Sequence, residues 1–367
     1  MFKRVYNKAL SVANSGIGKI HLFLERKGII EPIIFSFYKN IENRVFVDHK
    51  YPVNFDQKDK QLFDHYTKYT TAGEQVIELQ DVNISERGVV FKKYNNLGYA
   101  LPHPVFRATY GWLYIFNQYL FRKKKKSDPD KTYILIYDFW SRANYYHWLV
   151  DALPRLWILK EELKQNNYSL LLPANSPKFL KTTLNYFEIN NITYIETKEY
   201  LQVKKLLVPD YAAGSGHIHP VKVKAIKDHF VKKINAISKK ERVYVSRGKQ
   251  KARRVSNEDQ IIEIVKQFGF EVIYFEDHTF EEQVAIGKGA KIMVTSHGAN
   301  LTNSLFMPEK GTVLELIRED KPNFCYWALS NTAGVNYYYQ LCKVVGNDHL
   351  LVDVELFKVN LQKVLNG

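Results

Sequence analysis

Asn144, His147, Asp151 and Arg155 follow one another at three- and four-residue intervals, so a helix through them carries all four on one face. A carboxylate one turn from an imidazole orients the ring and favours its protonated form, which equips the pair to take a proton from a hydroxyl. The same spacing suits a capped, salt-bridged surface face in which Asp151 pairs with Arg155, and spacing alone leaves both readings open. Pro154 complicates the helix, because proline removes an amide donor and clashes with the preceding turn.

A second group is Ser246, Arg247, Gly248 and Lys249 at the end of an expected strand, followed by Arg253 and Arg254. Ligands of open α/β sheets bind beyond the carboxyl ends of strands, and a guanidinium fork matches phosphate oxygens. An exposed basic loop is the plain alternative. A third group runs from Thr295 to Asn303. An apolar strand passes into His297, Gly298, Ala299 and Asn300, and a helix opens there. Small residues let backbone approach a ligand, and helix-start amides attract phosphate. His297, Asn300 and Asn303 add donors. Glu315, on the next strand, suits a ribose-hydroxyl acceptor or a buried, paired carboxylate.

The elements that must carry these groups alternate. A strand at 132–137 precedes helical spacing over 144–163, then strands near 169–172, 192–195 and 205–208. Residues 212–216 are small and serve as a linker. Beyond them, helix 221–237, strand 242–246, helix 257–268, strand 270–275, helix 280–287, strand 291–295, helix 301–306 and strand 312–317 make repeated βα units. Residues 45–120 read as short β-rich and aromatic runs, 113–121 among them. The pair Gly287 and Gly289 follows a helix instead of a strand, so it is no dinucleotide fingerprint. His217 and His219 lack further ligands and read as linker residues.

The chain has 367 residues, enough for two α/β domains, with 46% apolar, 25% charged and 14% aromatic content. Two cysteines, Cys325 and Cys342, make no disulfide framework and suggest a reducing, cytoplasmic setting. No apolar run reaches the roughly 18–20 residues of a membrane span, and no secretory signal is expected. A net charge of +15 implies an anionic partner. Residues 1–30 interleave cations with apolar positions, as an amphipathic segment on an anionic inner membrane leaflet would. The Lys123–Lys126 run reads as a solvated loop tip beside the Asp128–Asp130 turn.

In order and spacing, these pieces resemble glycosyltransferase family 61 from about residue 132 to 317. The carriers are Asn144, His147, Trp148, Asp151, Pro154 and Arg155, then Val245–Arg247, Arg254, Asn257 and Glu258, Gly269 and Phe270, and Glu282 and Gln283. His297–Asn303, Phe306–Pro308 and Leu314–Leu316 complete the series. Asn300 departs from a version of the turn in which glycine is common.

The resemblance implies an α/β fold of GT-B architecture, with two Rossmann-like lobes of parallel sheets and an interlobe cleft. Residues 31–212 would be the acceptor-side lobe and 213–367 the nucleotide-sugar lobe, with room for the last helix to pack back on the first. It implies inverting transfer from a nucleotide sugar, with UDP favoured, to a glycan or lipid-linked glycan in capsule or surface-polysaccharide synthesis. No obligatory metal or other cofactor is implied. Arg247, Lys249, Arg254, His297, Gly298, Ala299, Asn300, Asn303 and Glu315 would serve the donor. His147 or Asp151 would be the base, the family pattern suiting either, with Asn144 and Arg155 as acceptor-side or structural support. The rival reading is a non-catalytic glycan- or nucleic-acid-binding protein using its basic surface; nucleic acid is disfavoured because the aromatics sit at core-like periods. A degenerate scaffold is disfavoured because His147, Asp151, Arg247 and His297 are all present.

Overall fold

The computed structural model describes residues 33–101, 105–211, 213–214, 216–346 and 348–366, with Phe23 and residues 26–28. The amphipathic segment expected over 1–30 lies almost wholly outside the described residues. Two compact units emerge: Met1–Arg44 with Ala72–Ser215, and Val45–Thr71 with Gly216–Gly367.

In chain order the strands of the first half are β1 (Ser36–Ile41), β2 (Phe46–Asp48), β3 (Lys68–Thr70), β4 (Glu74–Ser85), β5 (Val90–Lys92), β6 (Asn95–Asn96), β7 (Lys123–Lys126), β8 (Thr132–Ile134), β9 (Tyr168–Pro173), β10 (Ile192–Ile195) and β11 (Glu199–Pro209). The first unit's sheet runs β10-β9-β8-β11-β4-β5-β6, with β1 on β4 and β7 on β11. It is parallel from β10 to β11 and antiparallel from β11 to β6. The parallel part holds the alternating strands expected over 132–208, whereas the antiparallel part departs from a lobe of parallel sheet, because β4, β5 and β6 are joined by short turns that only an antiparallel pairing allows. Val76, Ile77, Leu79, Val82 and Ile84 of β4 and Leu206, Leu207 and Val208 of β11 are fully buried and form its core.

The second unit carries β12 (Arg242–Val245), β13 (Glu271–Ile273), β14 (Ile292–Ser296), β15 (Thr312–Arg318), β16 (Asn336–Val345) and β17 (His349–Leu351). Their order is β13-β12-β14-β15-β16-β17, parallel as far as β16 and antiparallel at β17. Strand order reverses between β12 and β14, which makes the gap beyond their carboxyl ends the switch point of a doubly wound sheet.

Residues 45–71, expected in the first lobe, belong to this second unit. Phe63, fully buried, packs on Phe324, Trp327 and Tyr339 at 4.1, 5.0 and 5.3 Å between ring centres. Trp327 Nε1 donates to the Lys50 carbonyl at 2.9 Å, and Tyr339 donates to Asp59. The last helix, Val354–Asn366, also stays here, burying Phe357, Leu361 and Val364 against the unit's own sheet. It is amphipathic, and its apolar face packs on β15, β16 and the Glu258–Gln267 helix.

Three local expectations change. Residues 113–121 are a helix, Trp112–Phe121, because Ile115 and Gln118 face inward at helical spacing. Lys123–Lys126 is a strand beside β11, not a loop tip. The helix over 144–163 is broken into a π-turn (His147–Ala152), an α-turn (Leu153–Leu156) and two 3-10 turns. Pro154 supplies no amide to the preceding turn, and the wider π-register absorbs the break.

Candidate functional site

In the first unit, β8 leads through a buried segment to Asp138, whose Oδ1 accepts the amides of Trp140 and Ser141 at 2.6 and 2.9 Å. Asn144 then caps the next turn, accepting the Tyr146 amide at 2.9 Å. The turn delivers His147 and Asp151, whose Nδ1 and Oδ2 are 2.6 Å apart. The imidazole stacks on Trp140 with ring centres 4.8 Å apart and planes 19° from parallel. One nitrogen is thereby committed and the ring face is covered, which fixes the direction of Nε2. Burial pushes the His147 pKa down, but Asp151 overcomes it and the net direction is up. Burial raises the Asp151 pKa, opposed by His147, and Asp138 adds to the rise.

Arg155 plays a different part. It is 1% exposed, donates through Nε to the Pro209 carbonyl at 2.9 Å and through Nη1 to Ile136, and lies over the Tyr211 ring at 4.3 Å. It ties the ends of β8 and β11 together and makes no ion pair with Asp151. Tyr211 in turn donates to Asp138 Oδ2 at 2.6 Å. Sequence reasoning passed over Asp138, Trp140 and Tyr211. The Asp138–Ser141 stretch, a side-chain-capped turn directly after an apolar strand, is the signal that could have found the first two.

In the second unit, Arg247 follows β12 and His297 and Gly298 follow β14, so both groups sit at the switch point. They also touch. A Cβ at Gly298 would overlap the Arg247 guanidinium and come within 3.0 Å of Nη2. Gly298 has φ 165 and ψ 174, an extended conformation any residue adopts, so glycine is needed for clearance and not for backbone freedom. Arg247 is 7% exposed, forms no ion pair among the described residues, and its Nε has no acceptor. Burial lowers its pKa first and the charge of Arg253 second.

A buried cation with no counter-ion is costly unless an anion completes it. The first amides of a helix have no acceptor within it, and the 3-10 helix Ala299–Phe306 opens beside this guanidinium. Asn300 Nδ2 is likewise buried without a partner. The arrangement can hold a phosphate-sized anion between the guanidinium and the amides that open the helix.

Other expected donor-binding residues fall elsewhere. Glu315 is fully buried, its Oε1 2.5 Å from His297 Nδ1 and its Oε2 accepting from Tyr337 at 2.6 Å, so both oxygens are spent on orienting neighbours. Asn303 is fully buried and donates to Gln283 at 3.1 Å, which makes it a packing residue. Lys249 is an exposed partner of Asp277. Arg254 is exposed near His349, whereas Arg253 faces Arg247 and Tyr326. Arg253 sits at φ 59, and the Ser296 hydroxyl donates to its carbonyl at 2.9 Å. The turn around it, which no periodicity reveals, brings the charge of the first arginine, and not that of the second, to bear on Arg247.

The second unit is thus a doubly wound α/β domain with an unpaired guanidinium at its switch point, the place where such sheets bind ligands. Comparison with known proteins narrows this. Residues 145–314, a little under half of the chain, match the family Glycosyltransferase 61. An EGF domain-specific O-linked N-acetylglucosamine transferase of Drosophila melanogaster is 35% identical over 97 residues, covering 26% of this chain and 18% of the fly protein. A Protein O-linked-mannose beta-1,4-N-acetylglucosaminyltransferase 2 of Mus musculus is 36% identical over 67 residues, covering 17% of this chain and 12% of its own length. The alignments thus span less than a fifth of either relative.

Proposed function

We propose that the protein is a glycosyltransferase that moves a sugar from a nucleotide donor, UDP-linked in the first instance, to a hydroxyl of a glycan acceptor. The observation that carries this is the buried, unpaired Arg247 guanidinium lying on Gly298 at the start of the Ala299–Phe306 helix. Such a cradle suits a diphosphate and strengthens as charge moves onto the leaving group. Two separate α/β units, one with a basic dyad and one with an anion cradle, support assignment to the GT-B architecture.

In this reading His147 Nε2 takes the proton of the acceptor hydroxyl, with Asp151 on Nδ1 holding the ring and stabilising the imidazolium. The hydroxyl oxygen bonds to the anomeric carbon as the bond to the donor phosphate breaks, with inversion. The nucleoside diphosphate leaves with the electron pair, and Arg247, Arg253 and the helix-start amides meet its charge. The leaving group needs no metal in this scheme. The relatives' printed N-acetylglucosaminyl transfers make UDP-N-acetylglucosamine the first donor to try. A role in capsule or surface-polysaccharide synthesis, at the cytoplasmic face of a membrane, accords with the chain's +15 charge.

Thermal-shift measurements with a panel of nucleotides and sugar nucleotides test the proposal. Stabilisation by UDP or a UDP-sugar that disappears in Arg247→Ala supports it. Stabilisation by oligonucleotides alone, or loss of transfer on adding EDTA with recovery on adding Mn²⁺, refutes it in its binding or its metal-free part respectively.

A further inference from the structure

The Trp112–Phe121 helix lies on the first unit with Ile115 buried beside Phe91 and Tyr200, and Tyr119 edge-on to both rings at 5.5 and 5.7 Å. Its opposite face carries Leu113, Phe116, Leu120 and Phe121, which are 37%, 43%, 59% and 69% exposed. At 100° per residue these four fall within one arc, a continuous apolar strip with Asn117 in its middle. Directly after the helix come Arg122 and the four exposed lysines of β7. Lys125 approaches Glu199 at 3.9 Å, and Asp128 and Asp130 follow in the next turn; no other ion pair to these lysines exists among the described residues.

Lysines on an edge strand discourage further strand pairing, and that alone would explain β7. It does not explain why the neighbouring helix turns two phenylalanines and two leucines to solvent. An apolar strip with adjoining cations is the pattern of a segment lying in a bilayer interface: side chains enter the acyl boundary while ammonium groups meet anionic headgroups. A symmetric contact with a second copy would bring the same five cations face to face. Nucleic acid would leave the leucines without a role.

We propose that the outer face of the Trp112–Phe121 helix, with Arg122 and β7, docks this protein on a membrane surface bearing anionic phospholipid. The proposal depends neither on residues 1–30 nor on the transfer reaction. The 367-residue chain is expected to co-sediment with phosphatidylglycerol–phosphatidylcholine vesicles and not with pure phosphatidylcholine. Changing Lys123–Lys126 to glutamine should weaken binding by up to about three orders of magnitude. Replacing Phe116, Leu120 and Phe121 by serine should weaken it by about tenfold or more and remove the salt-resistant fraction.

The substituted side chains are exposed, and retention of the wild-type melting temperature checks that the fold survives. As a second measurement, Leu120→Cys carrying an environment-sensitive dye should shift to the blue with anionic vesicles only, since Cys325 and Cys342 are buried. Absence of vesicle binding, binding unchanged in both variants, no dye shift, or a dimer in light scattering that the serine variant dissociates would each overturn the proposal.

Discussion

Replacing Gly298 by alanine tests the cradle without touching any charge. The backbone there is extended (φ 165), so alanine costs no backbone strain, and the new methyl meets a side chain and not main chain. Arg247 can swing away at little cost to folding, so the melting temperature of the unliganded protein should stay close to wild type. The phosphate, however, loses a buried charge-assisted partner worth about 1.5–3 kcal/mol, and the Kd for UDP should rise roughly 10- to 150-fold.

Arg247→Ala should give a similar loss. Because it also removes a buried cation with no counter-ion, the unliganded variant should be at least as heat-stable as wild type. Adding Gly298→Ala to Arg247→Ala should then cost almost nothing more, a coupling as large as the single effect. Lys249→Ala, which breaks only an exposed pair with Asp277, serves as the control and should leave affinity nearly unchanged. Isothermal titration with UDP reads all four proteins. Wild-type affinity in Gly298→Ala, or strict additivity in the double variant, would refute the claim that the glycine exists to admit the guanidinium to the ligand.

Three further outcomes are expected. The His147 pKa is raised, so a base at this position gains activity as pH rises through a value above the ordinary 6.5. In Asp151→Asn burial is opposed only by the more distant charge of Asp138, and the acidic limb of kcat/KM should move to lower pH while the maximum falls; an unmoved limb would remove His147 as the base. Arg155→Lys should destabilise by about 1–3 kcal/mol in urea unfolding, and Arg155→Ala by more, because an ammonium cannot serve both the Ile136 and Pro209 carbonyls.

His49 is buried edge-on to Tyr69 and Trp327, and burial lowers its pKa to about 4. The unfolded chain therefore takes up a proton near 6.5 that the native state refuses. Stability should fall by about 2 kcal/mol between pH 7 and pH 5, a loss that His49→Phe abolishes.

Periodicity and ordered motifs were enough to find the βα units of the second half, the family, and the His147–Asp151 pair, because helical spacing and strand-to-turn transitions are local properties of the chain. Local rules also brought Arg247 and Gly298 under suspicion separately. Their contact is a tertiary fact: residues fifty positions apart meet only because β12 and β14 are neighbours in the sheet. The same distinction bears on the other donor-side candidates. Glu315 is the buried, paired carboxylate that was one of its two sequence readings, Asn303 is buried on Gln283, and Lys249 and Arg254 stay exposed beside Asp277 and His349; such partners from other elements leave no mark on spacing. Residues 45–71 carry no signal that they cross to the second unit, since that choice lies in the aromatic packing of Phe63 on Phe324 and Trp327. The lysine run looked like a loop for a similar reason. Four like charges repel in an isolated chain, and only hydrogen bonding to β11 holds them extended.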